Sequence, residues 1–159
     1  MRSEQEANRA VELYADTVRR LCMIYLKNYA DTEDVFQNVF MKYLLSSVDF
    51  ESGEHEKAWI IRVTVNECKD TLKNFFRSKT ASLEEIKELT AEIPTESREI
   101  LETVMRLPQK YKDVIYLYYY EGYSAPEIGK ILHKRVNTVY TQLARAKSVL
   151  RERLGDDFE

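Results

Sequence analysis

Apolar residues recur every three or four positions through most of the first 75 residues, which is the spacing of one face of an α-helix. The three stripes are Val11, Tyr14, Val18, Leu21, Cys22 and Tyr25, then Val35, Phe36, Val39, Phe40, Tyr43 and Leu44, then Trp59, Ile61, Val65, Cys68, Leu72 and Phe75. Asp31 and Thr32 are predicted to cap and start the second helix. Residues 46–55, with Gly53 and alternating acids, are predicted to form a loop. Three stripes can enclose one small core, so we expect a three-helix bundle.

The helical pattern weakens over residues 78–99, where six acidic residues stand against three basic ones and Pro94 interrupts the chain. We predict an acidic linker there, with a helical turn around residues 83–89. The helical spacing of apolar residues returns near Ile100. Pro108 suits the first turn of a helix that includes Val114, Ile115, Leu117 and Tyr118, and Gly122 can end it.

Residues 124–150 carry the most specific local pattern in the chain. Ser124 and Glu127 have the spacing of a capping box before a two-turn helix with Ile128, Ile131 and Leu132 on its buried face. A polar turn at residues 133–135 precedes a longer helix with Val139, Leu143, Ala146 and Leu150. A short helix, a tight turn and a longer helix form a helix-turn-helix. Gly129 is predicted to lie where the two helices approach closely.

Only four Gly and three Pro punctuate the 159 residues, which favours helices throughout. The predicted fold is all-α: a three-helix N-terminal module and a C-terminal helix-turn-helix module joined by the acidic linker. We place the domains at residues 1–77, 78–99 and 100–159.

Charge is arranged in blocks, although the net charge is only −3. Residues 31–56 carry seven acids and one lysine, residues 57–79 six cations and two acids, and residues 130–154 seven cations and one acid. Two separate cationic surfaces indicate two nucleic-acid contacts. In a helix-turn-helix, the start of the second helix enters the major groove. The candidate base readers are therefore Thr138, Thr141, Gln142 and Arg145, and the candidate phosphate contacts are Lys134, Arg135, Lys147 and Arg151.

The sequence lacks the residue patterns expected of an enzyme. His55 and His133 have no partner at metal-ligand spacing, and the sequence contains no nucleophile motif and no Gly-rich phosphate loop. We expect no catalytic residue, metal or cofactor. Cys22 and Cys68 are predicted to be buried thiols in a reducing cytoplasm, and neither a signal peptide nor a membrane span is expected.

Several segments together resemble a known family. Residues 107–111 (LPQKY), 118–124 (YYYEGYS), 127–132 (EIGKIL) and 137–139 (NTV), followed by LARAK at 143–147, resemble region 4 of the extracytoplasmic-function sigma factors. Residues 31–42 (DTEDVFQNVFMK) and 58–66 (AWIIRVTVN) resemble region 2 of the same family. The resemblance covers nearly the whole chain in the family's order.

The resemblance implies a factor that gives core RNA polymerase its promoter recognition and DNA melting. It places contacts to the clamp of the largest subunit at Asp34, Gln37, Asn38 and Lys42, and minus-10 contacts at Arg62, Asn66, Lys69 and Lys73. It places minus-35 contacts at Lys134, Arg135, Thr138, Tyr140, Thr141, Gln142, Arg145 and Lys147. Residues 107–120 would hold the polymerase flap. The implied partners are core RNA polymerase and promoter DNA, with an anti-sigma factor as a further partner whose existence the sequence does not decide.

Two local departures and one alternative qualify this prediction. His133 and Arg135 stand where the family usually has Gly and a capping Ser. Tyr140-Thr141-Gln142 stands where Lys-Ser-Arg is common, which removes two cations and changes either the expected minus-35 preference or the hold on phosphate. Trp59 fits core packing better than base stacking. The competing function is a helix-turn-helix regulator that binds duplex DNA without joining polymerase, its N-terminal half serving as a dimerisation or sensor domain.

Overall fold

The computed structural model describes residues 1–74 and 102–155, and every regular element within these ranges is helical. The chain divides into two compact units, residues 1–85 and 86–159. The all-α, two-module prediction is confirmed. The acidic linker, its predicted turn, Phe75 and the exact domain boundaries lie outside the described residues, so the boundaries stay predictions.

The first unit contains α1 (Glu4–Leu26), α2 (Tyr29–Leu45) and α3 (Gly53–Asn74), and each helix packs against the other two. Its core is closed by residues from all three helices, including Leu21, Ile24, Tyr43, Ile60 and Ile61. The predicted stripe of α1 is buried from Tyr14 onward, whereas Val11 is only half-buried.

The second helix begins earlier than the sequence predicted. Asn28, not Asp31 or Thr32, is its N-cap: the Asn28 side chain accepts from the Asp31 amide at 2.9 Å. Thr32 lies inside the first turn and donates its hydroxyl to the Asn28 carbonyl. The capping prediction was therefore wrong by about one turn, because an Asn after the left-handed Lys27 satisfies the first amides before Asp31 is reached.

The third helix also begins earlier than predicted, at Gly53 rather than after His55. Ser52 supports this start, because its side-chain oxygen accepts from the His55 amide and its carbonyl accepts from the Glu56 amide. The buried face is centred on Ile60, Ile61, Thr64, Val65 and Cys68, and Trp59 is only half-buried. The loop prediction holds for residues 46–52.

The second unit contains helical residues 102–105, followed by α4 (Gln109–Tyr119), α5 (Ala125–Leu132) and α6 (Val136–Leu154). Helix α6 packs on both α4 and α5. Pro108 stands immediately before α4 rather than inside its first turn. Gly122 lies beyond the end of α4 with a φ of 74°, where a residue without a side chain is least strained.

Cys22 and Cys68 are both fully buried, as predicted, and their sulfur atoms lie 3.8 Å apart. Both are free thiols. Burial raises the pKa of Cys68 well above its ordinary value, so the thiol is neutral. Among the helices of the described ranges, none is long and apolar enough to cross a membrane.

Candidate nucleic-acid interface

The helix-turn-helix predicted from residues 124–150 is formed by α5 and α6. The Ser124 side chain accepts from the Glu127 amide at 3.3 Å, and the Glu127 carboxylate accepts from the Ser124 amide at 2.9 Å, so the capping box is complete. The hydrogen bond from the Ser124 backbone amide to the carboxylate lowers the pKa of Glu127, and the Ser124 side chain lowers it further. The box sets where the short helix begins.

The turn between α5 and α6 is tight because Gly129 lacks a side chain. A Cβ atom at Gly129 would lie 2.8 Å from the carbonyl oxygen of Lys134, too close for any real contact. The prediction of a close approach at Gly129 is confirmed, and the nearest neighbour is the backbone of the turn. His133 closes α5 with a φ of 55°, and Arg135 begins α6 without a capping side chain.

One face of α6 gathers four of the predicted DNA contacts. A shallow groove of about 360 Å³ is lined by Lys110, Tyr111, Asn137, Thr138, Thr141, Gln142 and Arg145. All four candidate base readers lie on this face. Asn137 was not among the predicted minus-35 residues, and Lys110 and Tyr111 of α4 were predicted only as part of the flap segment. The packing of α4 against α6 brings these two α4 residues to the groove.

Two other predicted minus-35 residues lie on a different face of α6. Tyr140, which is 56% exposed, and Lys147 line a separate groove of about 400 Å³ together with Tyr118 and Arg151. The Lys147 ammonium lies 4.9 Å from the centre of the Tyr118 ring, a cation–π distance. Helical geometry accounts for the separation: residues 138, 142 and 145 share one face, and residues 140, 144, 147 and 151 share another.

Lys134 is held within the module rather than presented freely. Its ammonium forms an ion pair with Asp113 at 3.4 Å and donates to the side-chain oxygen of Gln142 at 2.9 Å. Asp113 is 1% exposed, and the Lys134 side chain is 18% exposed. Arg135, the neighbouring predicted contact, is exposed.

The predicted minus-10 residues of α3 follow one another along the helix. Arg62, Asn66, Lys69 and Lys73 are spaced by four, three and four residues, which places them on one face. Arg62, Asn66 and Lys73 are exposed and Lys69 is half-buried. The surface therefore presents one amide group between several cationic side chains.

The predicted clamp contacts on α2 are also accessible: Asp34, Gln37, Asn38 and Lys42 are all exposed. Met41 and Leu45, which the sequence analysis did not single out, are 55% and 62% exposed on the same helix. Lys42 forms an ion pair with Glu67 of α3 at 3.3 Å, so the two surfaces of the first unit meet there.

A buried acidic group ties the three helices of the first unit together. The Glu56 carboxylate accepts from the Tyr43 hydroxyl at 2.7 Å, from Tyr14 at 2.8 Å and from the Arg9 guanidinium at 2.8 Å. Burial by itself would raise the pKa of Glu56, but the bonds from Tyr43, Arg9 and Tyr14 outweigh burial and lower it. Burial and the hydrogen bond to Glu56 raise the pKa of Tyr14 to about 12. Glu56 is therefore an ionised carboxylate, whereas from the sequence it was counted only as one of the seven acids in residues 31–56.

Trp59 belongs to an aromatic cluster on the first unit. Its ring meets Tyr43 and Phe50 edge-on, with centroids 6.1 Å and 5.7 Å apart. The Arg2 guanidinium lies over the rings of Tyr43 and Phe50. This packing agrees with the structural role expected for Trp59.

The comparisons with known proteins agree with both modules. The family model for sigma-70 region 2 matches residues 10–80, and the model for sigma-70 region 4 matches residues 97–150. The RNA polymerase sigma factor SigV of Bacillus subtilis is 30% identical over 85% of this chain and 82% of its own length. The chain belongs to the sigma-70 family of RNA polymerase sigma factors. The ECF RNA polymerase sigma factor SigW of B. subtilis is 28% identical over 92% of this sigma factor and 87% of the relative.

Solved structures share the fold at lower sequence identity. The sigma factor RpoE of Bartonella quintana, crystallised with the anti-sigma factor NepR, superposes with a TM-score of 0.75 at 18% identity, covering 96% of this chain and 99% of that one. CnrH, solved with the cytosolic domain of CnrY, gives a TM-score of 0.68 at 20% identity, covering 98% of this chain and 91% of that one.

The family models and the sequence relatives together decide the function. The protein is an extracytoplasmic-function sigma factor that directs core RNA polymerase to promoters, and the polymerase-independent regulator is not favoured.

Proposed function

We propose that the groove face of α6 reads the minus-35 element as duplex DNA. Thr138, Thr141, Gln142 and Arg145 would meet base edges in the major groove. The supporting observation is that these four residues, chosen from the sequence, share one groove. Arg is suited to guanine, and the methyl group of Thr is suited to the methyl group of thymine.

Phosphate contacts complete the proposed minus-35 surface. Lys110 and Tyr111 line the same groove, and Arg135 is exposed at the start of α6. Cations beside a recognition helix hold the DNA backbone and set the register of the base contacts. Tyr140 and Lys147 lie on the other face, and we assign them no base contact.

The basic face of α3 is proposed to capture the unwound minus-10 strand. Arg62, Lys69 and Lys73 would follow the phosphate backbone, while Asn66 offers both a donor and an acceptor to one extruded base. Base identity is read on an exposed edge, so an accessible amide between cations suits single-stranded DNA.

The exposed face of α2 is proposed to dock on the polymerase clamp through Asp34, Gln37, Asn38 and Lys42. Met41 and Leu45 add apolar area beside these polar groups, and an apolar centre with a polar rim is typical of protein interfaces. We further propose that the protein catalyses nothing itself and acts in the cytoplasm, where its polymerase works. The flap contact of residues 107–120 and an anti-sigma partner stay predictions.

The test compares two cations on the two faces of α6. Holoenzyme carrying Arg145→Ala should lose about 1 to 3 kcal/mol of discrimination at one minus-35 base pair. Holoenzyme carrying Lys147→Ala should keep the discrimination of the original protein at every position. The measurement is open-complex formation on promoters with all four base pairs at each minus-35 position. Equal losses on every sequence for Arg145→Ala would contradict base reading by this face.

A further inference from the structure

The side-chain amide of Gln142 has a defined orientation on the recognition face. The Lys134 ammonium approaches one atom of that amide at 2.9 Å. A lysine ammonium carries donors and no acceptor, so the atom facing it must be the amide oxygen. The NH₂ group of Gln142 is consequently the end that remains for another partner.

Lys134 is held in place by a group outside the recognition helix. Asp113 of α4 is almost completely buried, and its carboxylate lies 3.4 Å from the Lys134 ammonium. Moving Lys134 away would leave a buried carboxylate without this cation, which is costly. The contact to Gln142 is therefore anchored through Asp113 to the core of the module.

This orientation changes which base Gln142 can recognise. A Gln that pairs bidentately with adenine donates to N7 and accepts from the N6 amino group through its oxygen. Here the ammonium of Lys134 already donates to that oxygen, and an adenine amino group could reach the remaining lone pair only by approaching beside a positive charge. Guanine offers two acceptors, N7 and O6, which attract both the Gln142 NH₂ group and the Lys134 ammonium.

We propose that Lys134 sets the specificity of Gln142, so that this pair selects a guanine and rejects adenine at one minus-35 position. The inference rests on the proposed role of α6 in reading the minus-35 element. In this proposal Gln142 contacts the base and Lys134 determines which base is accepted. Asp113 holds the Lys134 ammonium in position.

The experiment uses holoenzyme assembled from the full chain and core RNA polymerase, with promoters that carry each base pair at each minus-35 position. The original protein should favour a G·C pair at one position by about fivefold or more in open-complex formation. Gln142→Ala should abolish the preference at that position only. Lys134→Met, which keeps the stem and removes the donors, should weaken the guanine preference and improve acceptance of adenine. Lys130→Met, an exposed lysine of α5, is the matched control and should change no preference.

A second measurement avoids any folding defect caused by removing the Lys134 cation from beside Asp113. With the original protein, 7-deazaguanine at the selected position removes the N7 acceptor and should reduce open-complex formation several-fold. Two outcomes would overturn this inference alone. One is that the original protein favours an A·T pair at the position controlled by Gln142. The other is that folded Lys134→Met protein keeps the full guanine preference. Unchanged preferences for Gln142→Ala at every position would instead overturn the proposed base contact on which it rests.

Discussion

The hydroxyl of Tyr14 donates a 2.8 Å hydrogen bond to the carboxylate of Glu56, 42 residues later in the chain. Tyr43 and Arg9 bind the same carboxylate, so one buried acid connects α1, α2 and α3. The helix α2 of the proposed clamp surface and the helix α3 of the proposed minus-10 surface are thereby held in one arrangement. The integrity of this cluster is directly testable.

Replacing Glu56 with Ala should destabilise the first unit, because two buried tyrosine hydroxyls lose their charged acceptor. Hydrogen bonds to charged groups contribute about 1.5 to 3 kcal/mol, so we expect a loss of that order in the free energy of unfolding. Urea denaturation followed by circular dichroism measures it. Glu54→Ala, an exposed acid two residues earlier, is the control and should stay within about 0.5 kcal/mol. Equal stabilities for the two variants would show that the cluster is unimportant.

The stabilising effect of Glu56 should depend on pH in one direction. Its pKa is lowered in the folded protein, so its contribution is present above the pKa of the unfolded chain, about 4.3. That contribution is lost as pH falls through the lower, folded-state pKa. The stability difference between the original protein and Glu56→Gln should therefore shrink between pH 7 and pH 3. The urea midpoints of both proteins across this range provide the measurement. A stability difference that grows on acidification would contradict the lowered pKa of Glu56 in the folded protein.

Adding one methyl group at Gly129 should distort the helix-turn-helix. The new Cβ would lie 2.8 Å from a backbone oxygen that cannot rotate away, so Gly129→Ala should cost about 1 to 3 kcal/mol. Thermal denaturation measures this loss. Gly53→Ala is a suitable control, since a Cβ there meets nothing within 4 Å. A Gly129→Ala protein as stable as the Gly53→Ala protein would mean that the turn relaxes freely.

Substituting Asn66 with Ala should impair promoter opening without weakening polymerase binding. The amide is exposed on the face of α3 proposed to read the unwound strand, whereas the proposed clamp residues lie on α2. Co-elution with core polymerase and permanganate reactivity of promoter thymines measure the two steps separately. Asn74→Ala removes the same group at the exposed end of α3 and should open promoters normally. Unaltered opening by Asn66→Ala on a double-stranded promoter would contradict the assigned role.

The periodicity of apolar residues was enough to predict helices α1 to α6, because a helix that buries one face has apolar residues at every third or fourth position. Contacts between residues close together in the sequence were equally predictable. The Ser124–Glu127 capping box and the glycine at the α5–α6 turn needed no knowledge of distant contacts. Helix starts were less certain, since Asn28 and Ser52 compete with neighbouring residues as caps.

The sequence by itself determined the family, the helical modules and the group of residues proposed to face DNA, since these depend on local pattern and charge. Only the tertiary structure decided which of them act together. It separated Tyr140 and Lys147 from Gln142 and Arg145. It also linked Lys134 to Asp113 across 21 residues and buried Glu56 among groups from three helices. Such contacts join residues far apart in the chain, and their geometry follows from how the helices pack rather than from any repeat along one helix.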